Sequence, residues 1–240
     1  MLKSIFFSLC LAITALQTVA AQHTTSKLHS DWDALLRAHV NTDGNVNYVA
    51  FQADKAKVDA YLEKMKKNAP QSSWSREDKI AYWINVYNAF TIQNVIGKYP
   101  IKSIMDLDGG KVWTTQKINI GGKDYTLDAI EKQVLIKDLQ EPRVHFAVNC
   151  AAASCPPLLN AAWSPEKLET LLEERTKTFI NNSKYNKITL ITAEISPIFN
   201  WYAADFGDVK AFISKYSLTK LPSFGALKYK KYDWTLNAKK

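Results

Sequence analysis

The feature that most constrains the fold is a run of alternating residues that ends in a proline-stopped turn, Arg143–Pro157. Val144, Phe146 and Val148 occupy every second position of this run, which is the period of a β-strand with one apolar face. His145 would then lie on the opposite face of the strand. The small residues that follow leave little bulk, and the two prolines at the end forbid a regular continuation. The pattern therefore predicts a strand that leads into a tight turn.

This turn carries Cys150 and Cys155, the cysteines that follow the N-terminal segment. A histidine on a strand and a cysteine in the next turn are the parts of a thiol–imidazole pair. Two thiols at this spacing can equally close a small disulfide ring, although it would gain less than the ~3 kcal/mol of a loop of about fifteen residues. Both interpretations stay open. The C-x4-C spacing differs from the C-x2-C of ordinary zinc sites, so neither a metal nor a cofactor is predicted.

Residues 1–21 are predicted to be a secretory signal peptide. Lys3 supplies the positive charge, Ile5–Ala15 is almost wholly apolar, and Val19–Ala21 offers the small residues of a cleavage site. The apolar run is too short for an ordinary transmembrane helix. The mature chain, residues 22–240, is therefore expected to be a single-domain, monomeric, periplasmic or secreted protein that is not anchored in the membrane.

The chain has a formal net charge of +8, which would suit an anionic partner. Its lysines, however, are spread over residues 55–67 and over the C-terminal residues 228–240, and in the first of these segments they alternate with acids. Such a distribution is typical of solvated faces. The sequence contains no nucleic-acid-binding motif, so nucleic acid is not a predicted partner. The expected partner is an unidentified peptide or envelope component.

Helices and short strands are predicted in mixed order rather than as alternating βαβ units. This mixture favours an α+β fold, in one compact, helix-rich domain with a small and mostly antiparallel sheet. The periodicities predict helices over 30–40, 54–67, 76–98, 127–137, 164–181, 196–207 and 208–216, and extended segments over 46–51, 117–125, 143–149, 187–192 and 227–236.

The predicted helix 76–98 is the longest and most aromatic, and we expect it to be the buried centre of the fold. Ser75 and Asp78 have the spacing of a capping box at its start. Asn85 and Asn88 interrupt its apolar surface. Because a buried amide without a partner costs about 1–3 kcal/mol, we expect both to hold neighbouring loop backbone rather than a substrate.

Glu131 has two possible roles. It stands three residues after Asp128, at the start of the predicted helix 127–137, which is the spacing of a capping box. The same carboxylate could instead orient the imidazole of His145. The capping role is the simpler expectation from the local sequence.

Five motifs follow one another along the chain: Ala81–Ala89, Pro142–Cys150, Ser154–Leu158, Ser196–Phe206 and Tyr232–Asn237. In this order they resemble the domain of unknown function 547 family, over about residues 30–237. The family is widespread in bacteria, often behind a signal peptide. Its glutamate, its histidine and its Ser-Cys-Pro turn match Glu131, His145 and Ser154 with Cys155. The resemblance implies an arrangement similar to cysteine peptidases and transglutaminases, although papain has its cysteine before its histidine.

Two functions of different classes follow. In the first, the protein is a thiol-dependent hydrolase of peptide or amide bonds, in which Cys155, or as second choice Cys150, attacks the carbonyl. His145 would transfer the proton and Glu131 would hold the imidazole. Asn149 or turn amides would stabilise the oxyanion. In the second, the protein is a non-catalytic envelope binding or scaffold module, and the two cysteines form a structural pair.

Overall fold

The computed structural model describes residues 25–221 and 227–239. The predicted signal peptide, residues 1–21, lies outside the described residues. Helices dominate the structure, and two small sheets accompany them, which confirms the predicted α+β class. Within the described part of the chain, no helix is both long enough and apolar enough to cross a membrane.

The first half of the fold is helical. The predicted helices 30–40, 54–67 and 76–98 are confirmed to within two residues at each end. The extended segment predicted over 46–51 is wrong from Tyr48 onward, because the Asn47 side chain accepts a hydrogen bond from the Ala50 N–H and starts a short helix. The helices are α1 (Ser30–His39), α2 (Tyr48–Ala53), α3 (Lys55–Lys67) and α4 (Arg76–Ile96).

Helix α4 is the buried centre of the fold, as predicted. The Ser75 side chain accepts the Asp78 N–H, and the Asp78 carboxylate accepts the Ser75 N–H, which is the predicted capping box. The helix packs against α2, α3 and residues 129–138, so it is covered on several sides. Trp83 is only 5% exposed, and its ring lies 4.7 Å from that of Tyr125.

Between α4 and the cysteine turn the chain forms short elements. The predicted hairpin is confirmed, with Ile118 paired to Tyr125 across two antiparallel strands. Gly121 and Gly122 have positive φ angles in its turn, which glycine adopts at little cost. These elements are 3-10 turns at Ile104–Asp106 and Asp108–Gly110, helix α5 (Val112–Thr115), strands β1 (Ile118–Ile120) and β2 (Lys123–Tyr125), and a π-helix at Ala129–Asp138.

The strand predicted over residues 143–149 is wrong. Pro142–Phe146 is a 3-10 helix, with the proline in the first turn, where its missing N–H leaves no bond unmade. The Val144 carbonyl accepts the N–H groups of both Ala147 and Val148, so the backbone bonds are local and no partner strand is needed.

The apolar alternation in this segment has a different cause. Val144 and Val148 pack in one hydrophobic cluster, together with α4, whereas Phe146 packs in a second cluster with Phe179 and Phe199. Both clusters therefore take residues from the same tight turn. A buried segment that serves two cores produces an alternating pattern without being a strand.

The C-terminal half surrounds the second cluster. Strand β4 (Ala193–Ile195) pairs antiparallel with β3 (Lys187–Ile188) and parallel with β5 (Lys228–Tyr229). The strand predicted over 187–192 ends early, because the Thr189 N–H donates to the Thr192 carbonyl at 2.8 Å and closes a turn. The predicted helix 196–207 is interrupted at Tyr202, where ψ is 27°. The elements are a 3-10 turn at Pro165–Lys167, α6 (Leu168–Asn181), β3 (Lys187–Ile188), β4 (Ala193–Ile195), α7 (Ile198–Trp201), α8 (Ala203–Phe206), α9 (Val209–Tyr216) and β5 (Lys228–Tyr229).

We expect Trp83→Ala to lower the free energy of unfolding by about 3–5 kcal/mol, because it empties a large buried site on α4. Chemical denaturation followed by circular dichroism measures this loss. Val49→Ala is the control: Val49 is 64% exposed, and its truncation should change stability by no more than about 0.5 kcal/mol. Equal stability of the two variants would contradict the central position of α4.

Candidate functional site

A pocket of about 300 Å³ contains the predicted site residues His145, Glu131, Cys150 and Cys155. Val148 and Tyr87 come to its wall from the larger cluster, and Ile198 comes from the second. The pocket therefore lies where the two hydrophobic clusters meet. Much of the remaining wall is aromatic and consists of Trp113, Trp201, Tyr202, Tyr232 and Trp234.

His145 is held between two carboxylates. Its Nδ1 lies 2.9 Å from Oε1 of Glu131, and its Nε2 lies 2.9 Å from Oδ2 of Asp205. The π-helix supplies Glu131, and α8 supplies Asp205. With a carboxylate on each nitrogen, an imidazolium satisfies both contacts, because each ring nitrogen then has a hydrogen to donate.

The electrostatics agree with this protonation state. Burial alone would lower the pKa of His145, but the hydrogen bonds and charges of Asp205 and Glu131 outweigh it and raise the pKa above its ordinary value. The Tyr202 ring stacks on the imidazole with 3.9 Å between ring centroids, and an aromatic face favours a cation. His145 thus has no free nitrogen with which to accept a thiol proton.

Glu131 orients His145 rather than capping its own helix. The Asp128 side chain makes no capping hydrogen bond, and the Ala129 N–H donates instead to the hydroxyl of Thr126. The Tyr87 hydroxyl donates to Oε2 of Glu131 at 3.3 Å, so both carboxylate oxygens are engaged. Glu131 therefore binds His145 and does not have the helix-capping role expected from the local sequence.

Cys150 and Cys155 are free thiols whose Sγ atoms lie 2.7 Å apart. The turn that joins them is tight: Ala151 has a φ of 64°, and the Cys155 N–H donates to the Ala152 carbonyl. The Cys150 N–H also donates to Sγ of Cys155 at 2.8 Å. The turn thus holds the two sulfur atoms against each other.

The pKa values of the two thiols are shifted in opposite directions. The hydrogen bond with Cys155 lowers the pKa of Cys150 against the effect of burial, and the hydroxyl of Tyr232, with its oxygen 3.3 Å from Sγ, lowers it further. Burial raises the pKa of Cys155 well above its ordinary value, and the neighbouring Cys150 sulfur adds to this effect. Cys155 is buried, whereas Cys150 is partly exposed. The geometry therefore favours Cys150, the second choice of the sequence analysis, as the reactive thiol.

Asn149 holds the turn and does not line the pocket. Its side-chain N–H donates to the Pro156 carbonyl at 2.8 Å. Its side-chain carbonyl accepts the Ala151 N–H and the side-chain N–H of Asn237. The oxyanion role expected for this side chain therefore has no support in the geometry, because its groups bind the turn and the C-terminal segment.

The two asparagines of α4 hold loop backbone, as predicted. Asn85 donates to the Trp163 carbonyl and accepts the Trp163 N–H. Asn88 does the same for the cysteine turn: it donates to the Ala147 carbonyl and accepts the Asn149 N–H. The central helix thereby fixes the start of the turn that carries the thiols.

Sequence reasoning missed Asp205 and the aromatic wall. Both lie far along the chain from the cysteine turn, so no local pattern connects them. The only available signal was their position in the two motifs Ser196–Phe206 and Tyr232–Asn237, which contain Asp205, Tyr232 and Trp234.

Residues 71–180 match the sequence model of the family described as Protein of unknown function, DUF547. The match covers 110 of the 240 residues and agrees with the family resemblance of the sequence motifs. The matched range contains α4, Glu131, His145 and both thiols, whereas Asp205 lies beyond it. A search of curated proteins and a search of solved structures found no match to the chain. The likeness to the papain and transglutaminase arrangement stays a prediction.

We expect Glu131→Gln, and separately Asp205→Asn, to lower the pKa of His145, because each change removes a carboxylate that stabilises the imidazolium. An NMR titration of the imidazole measures the pKa directly. Asp128→Asn is the control, since Asp128 lines the pocket but pairs with Lys132. A His145 pKa that is unchanged in both the Glu131→Gln and the Asp205→Asn variants would show that neither carboxylate stabilises the imidazolium.

The raised pKa of His145 fixes the direction in which the stability of the protein depends on pH. A raised pKa in the folded state means that the stabilisation by His145 is complete below about pH 6.5, the usual histidine value, and is lost as the pH rises through the folded pKa. Asp205→Asn should therefore lower the free energy of unfolding more at pH 6 than at high pH.

Proposed function

We propose that this pocket carries out thiol–disulfide exchange, with Cys150 as the attacking thiol and Cys155 as the resolving thiol. The observation that supports it is the pair of free thiols 2.7 Å apart, the partly exposed one with a lowered pKa and the buried one with a raised pKa. Exchange requires a thiolate that attacks first and a second thiol within reach that stays protonated until it is needed.

The reaction balances without a cofactor. The Cys150 thiolate attacks one sulfur of a substrate disulfide R–S–S–R′, forms a mixed disulfide with R–S, and expels R′–S⁻, which takes up a proton. Cys155 then loses its proton and attacks Sγ of Cys150, so that a Cys150–Cys155 disulfide forms and R–S⁻ leaves and is protonated. The substrate disulfide is reduced to two thiols, and the protein dithiol is oxidised by the same two electrons.

The pocket assists this chemistry in two ways. The Tyr232 hydroxyl, 3.3 Å from Sγ of Cys150, can donate to the thiolate and later to the sulfur that leaves. The aromatic wall offers apolar contact to the groups that flank a substrate disulfide, and Trp201, 48% exposed, presents part of that wall to solvent.

A second candidate is the thiol-dependent hydrolase expected from the sequence. The observation that favours it is that Cys150, His145 and Glu131 line one pocket and that Glu131 binds His145. In this mechanism His145 would have to release Asp205 before Nε2 could accept the thiol proton. The two candidates differ in Cys155, which exchange requires and hydrolysis does not.

We expect iodoacetamide to alkylate Cys150 much faster than Cys155 at mildly acidic pH, because only a thiolate reacts. Mass mapping of peptides after short labelling, repeated across pH, measures both rates. The labelling rate of Cys150 should rise at a lower pH than the labelling rate of Cys155. A protein in which both thiols resist labelling until a reductant is added would contradict a reactive dithiol and favour the binding-module hypothesis.

We expect Cys150→Ser to abolish reduction of a small aromatic disulfide, with the release of coloured thiolate as the measurement. Cys155→Ser should keep the first attack but stop before resolution, because no second thiol remains. The mixed disulfide on Cys150 should then accumulate and be visible as a mass increase.

The control for the Cys150→Ser and Cys155→Ser variants is hydrolysis of a peptide or thioester substrate. If Cys155→Ser hydrolyses it as well as the unchanged protein and Cys150→Ser does not, the hydrolase is the better account. If the unchanged protein reacts with no disulfide and no acyl substrate, both catalytic proposals fail.

A further inference from the structure

The turn between β3 and β4 presents two large aliphatic side chains to solvent. Leu190 is 73% exposed and Ile191 is 84% exposed. The turn that carries them is closed by hydrogen bonds: the Thr189 N–H donates to the Thr192 carbonyl at 2.8 Å, and the Thr192 N–H donates to the Thr189 hydroxyl at 2.9 Å. The two apolar side chains are therefore held at the tip of a closed turn.

Lysines lie on the strands of the small sheet from which this turn projects. Lys187 and Lys228 flank Glu194 in the strand register, one on each side. The Lys230 ammonium donates to the Ser183 and Lys184 carbonyls, which places that segment beside β5. The local basic set is Lys184, Lys187, Lys228, Lys230 and Lys231, and the acids among these residues are Glu194 and Asp233.

Two lysines of this set, Lys184 and Lys231, lie close enough to Asp233 to act on its charge. Hydrogen bonds from Thr235 lower the pKa of Asp233, and the charges of Lys184 and Lys231 lower it further. The five lysines and two acids of these segments carry a net charge of +3. An apolar tip above a positive base is the arrangement that fits an interface between hydrocarbon and negative charge.

The size of the patch decides between a lipid surface and a protein. A stable protein interface buries about 1,600 Å² in total, with an apolar centre of many side chains. The tip offers two aliphatic side chains, and Lys187 and Lys228 lie on the strands below it, which is too little apolar surface for such a centre. A lipid surface needs only shallow insertion of a few apolar groups together with attraction to anionic headgroups.

We propose that the β3–β4 turn anchors the protein to the surface of an anionic phospholipid bilayer. Leu190 and Ile191 insert at the boundary between headgroups and acyl chains, and the lysines of the adjacent sheet contact the phosphates. This anchoring is independent of the thiol chemistry of the pocket.

The position of the tip in the lipid is tested with Ile191→Trp. Vesicles of phosphatidylcholine and phosphatidylglycerol carry bromine atoms on their acyl chains, and bromine quenches tryptophan only at close range. The full chain with Ile191→Trp should show quenching in addition to that of the unchanged protein, because the new indole enters the bromine layer. Val49→Trp, at another exposed apolar position, should show no additional quenching.

The charges are tested with Lys187→Gln combined with Lys228→Gln. We expect vesicle affinity to fall about fivefold for each lysine removed at low salt, and to fall as salt is raised. Leu190→Ser combined with Ile191→Ser should weaken binding to the same vesicles while leaving reactivity of Cys150 unchanged. All variants carry the same residues 1–21, so any lipid contact of that segment is common to them.

Three results would overturn the anchor. One is quenching of Ile191→Trp no greater than that of Val49→Trp. Another is equal binding of the Leu190→Ser, Ile191→Ser variant and the unchanged protein. The last is equal affinity for vesicles with and without phosphatidylglycerol, which would remove the role of the lysines. None of these measurements depends on exchange or hydrolysis in the pocket, so the anchor and the proposed chemistry can fail separately.

Discussion

The site depends on one interaction, the imidazolium of His145 between Glu131 and Asp205. It joins a 3-10 turn, a π-helix and α8, which are separated in the sequence but meet at this ring. His145 is 2% exposed, so its charge is stable there only because carboxylates are paired with it. Removing one partner of a buried ion pair commonly costs about 3–5 kcal/mol.

The cysteine turn is fixed from two directions. Asn88 on α4 binds both ends of the peptide Ala147–Asn149, and Asn237 binds the Asn149 side chain from the C-terminal segment. The C-terminal segment also accepts the N–H groups of Ala153 and Ser154. These bonds bring Tyr232 to Cys150, and Tyr232 helps to lower its pKa. The acidity of the thiol is thus a property of the whole fold rather than of the cysteine spacing.

Features that depend on near neighbours could be predicted from the sequence. The Ser75 and Asp78 capping box, the buried face of α4 and the β1–β2 hairpin each depend on residues a few positions apart. The roles of Asn85 and Asn88 were predictable for a different reason, because an amide on a buried face must find backbone partners wherever the loops lie. The strand over 143–149 could not be excluded, since a segment shared by two cores has the same apolar period as a strand.

The difference in pKa between the two thiols could not be predicted from the sequence, and the proposed chemistry depends on it. C-x4-C spacing treats the cysteines alike, and the Ser-Cys-Pro motif even points to Cys155. In the fold, Cys155 packs within the second cluster among Phe146, Phe179 and Ile198, while Cys150 stays at the edge of that cluster beside the Tyr232 hydroxyl. Burial disfavours a thiolate at Cys155, and hydrogen bonds favour a thiolate at Cys150. The packing of the second cluster therefore decides which sulfur is the more acidic, and the aromatic residues of that cluster come mostly from the part of the chain beyond the DUF547 match.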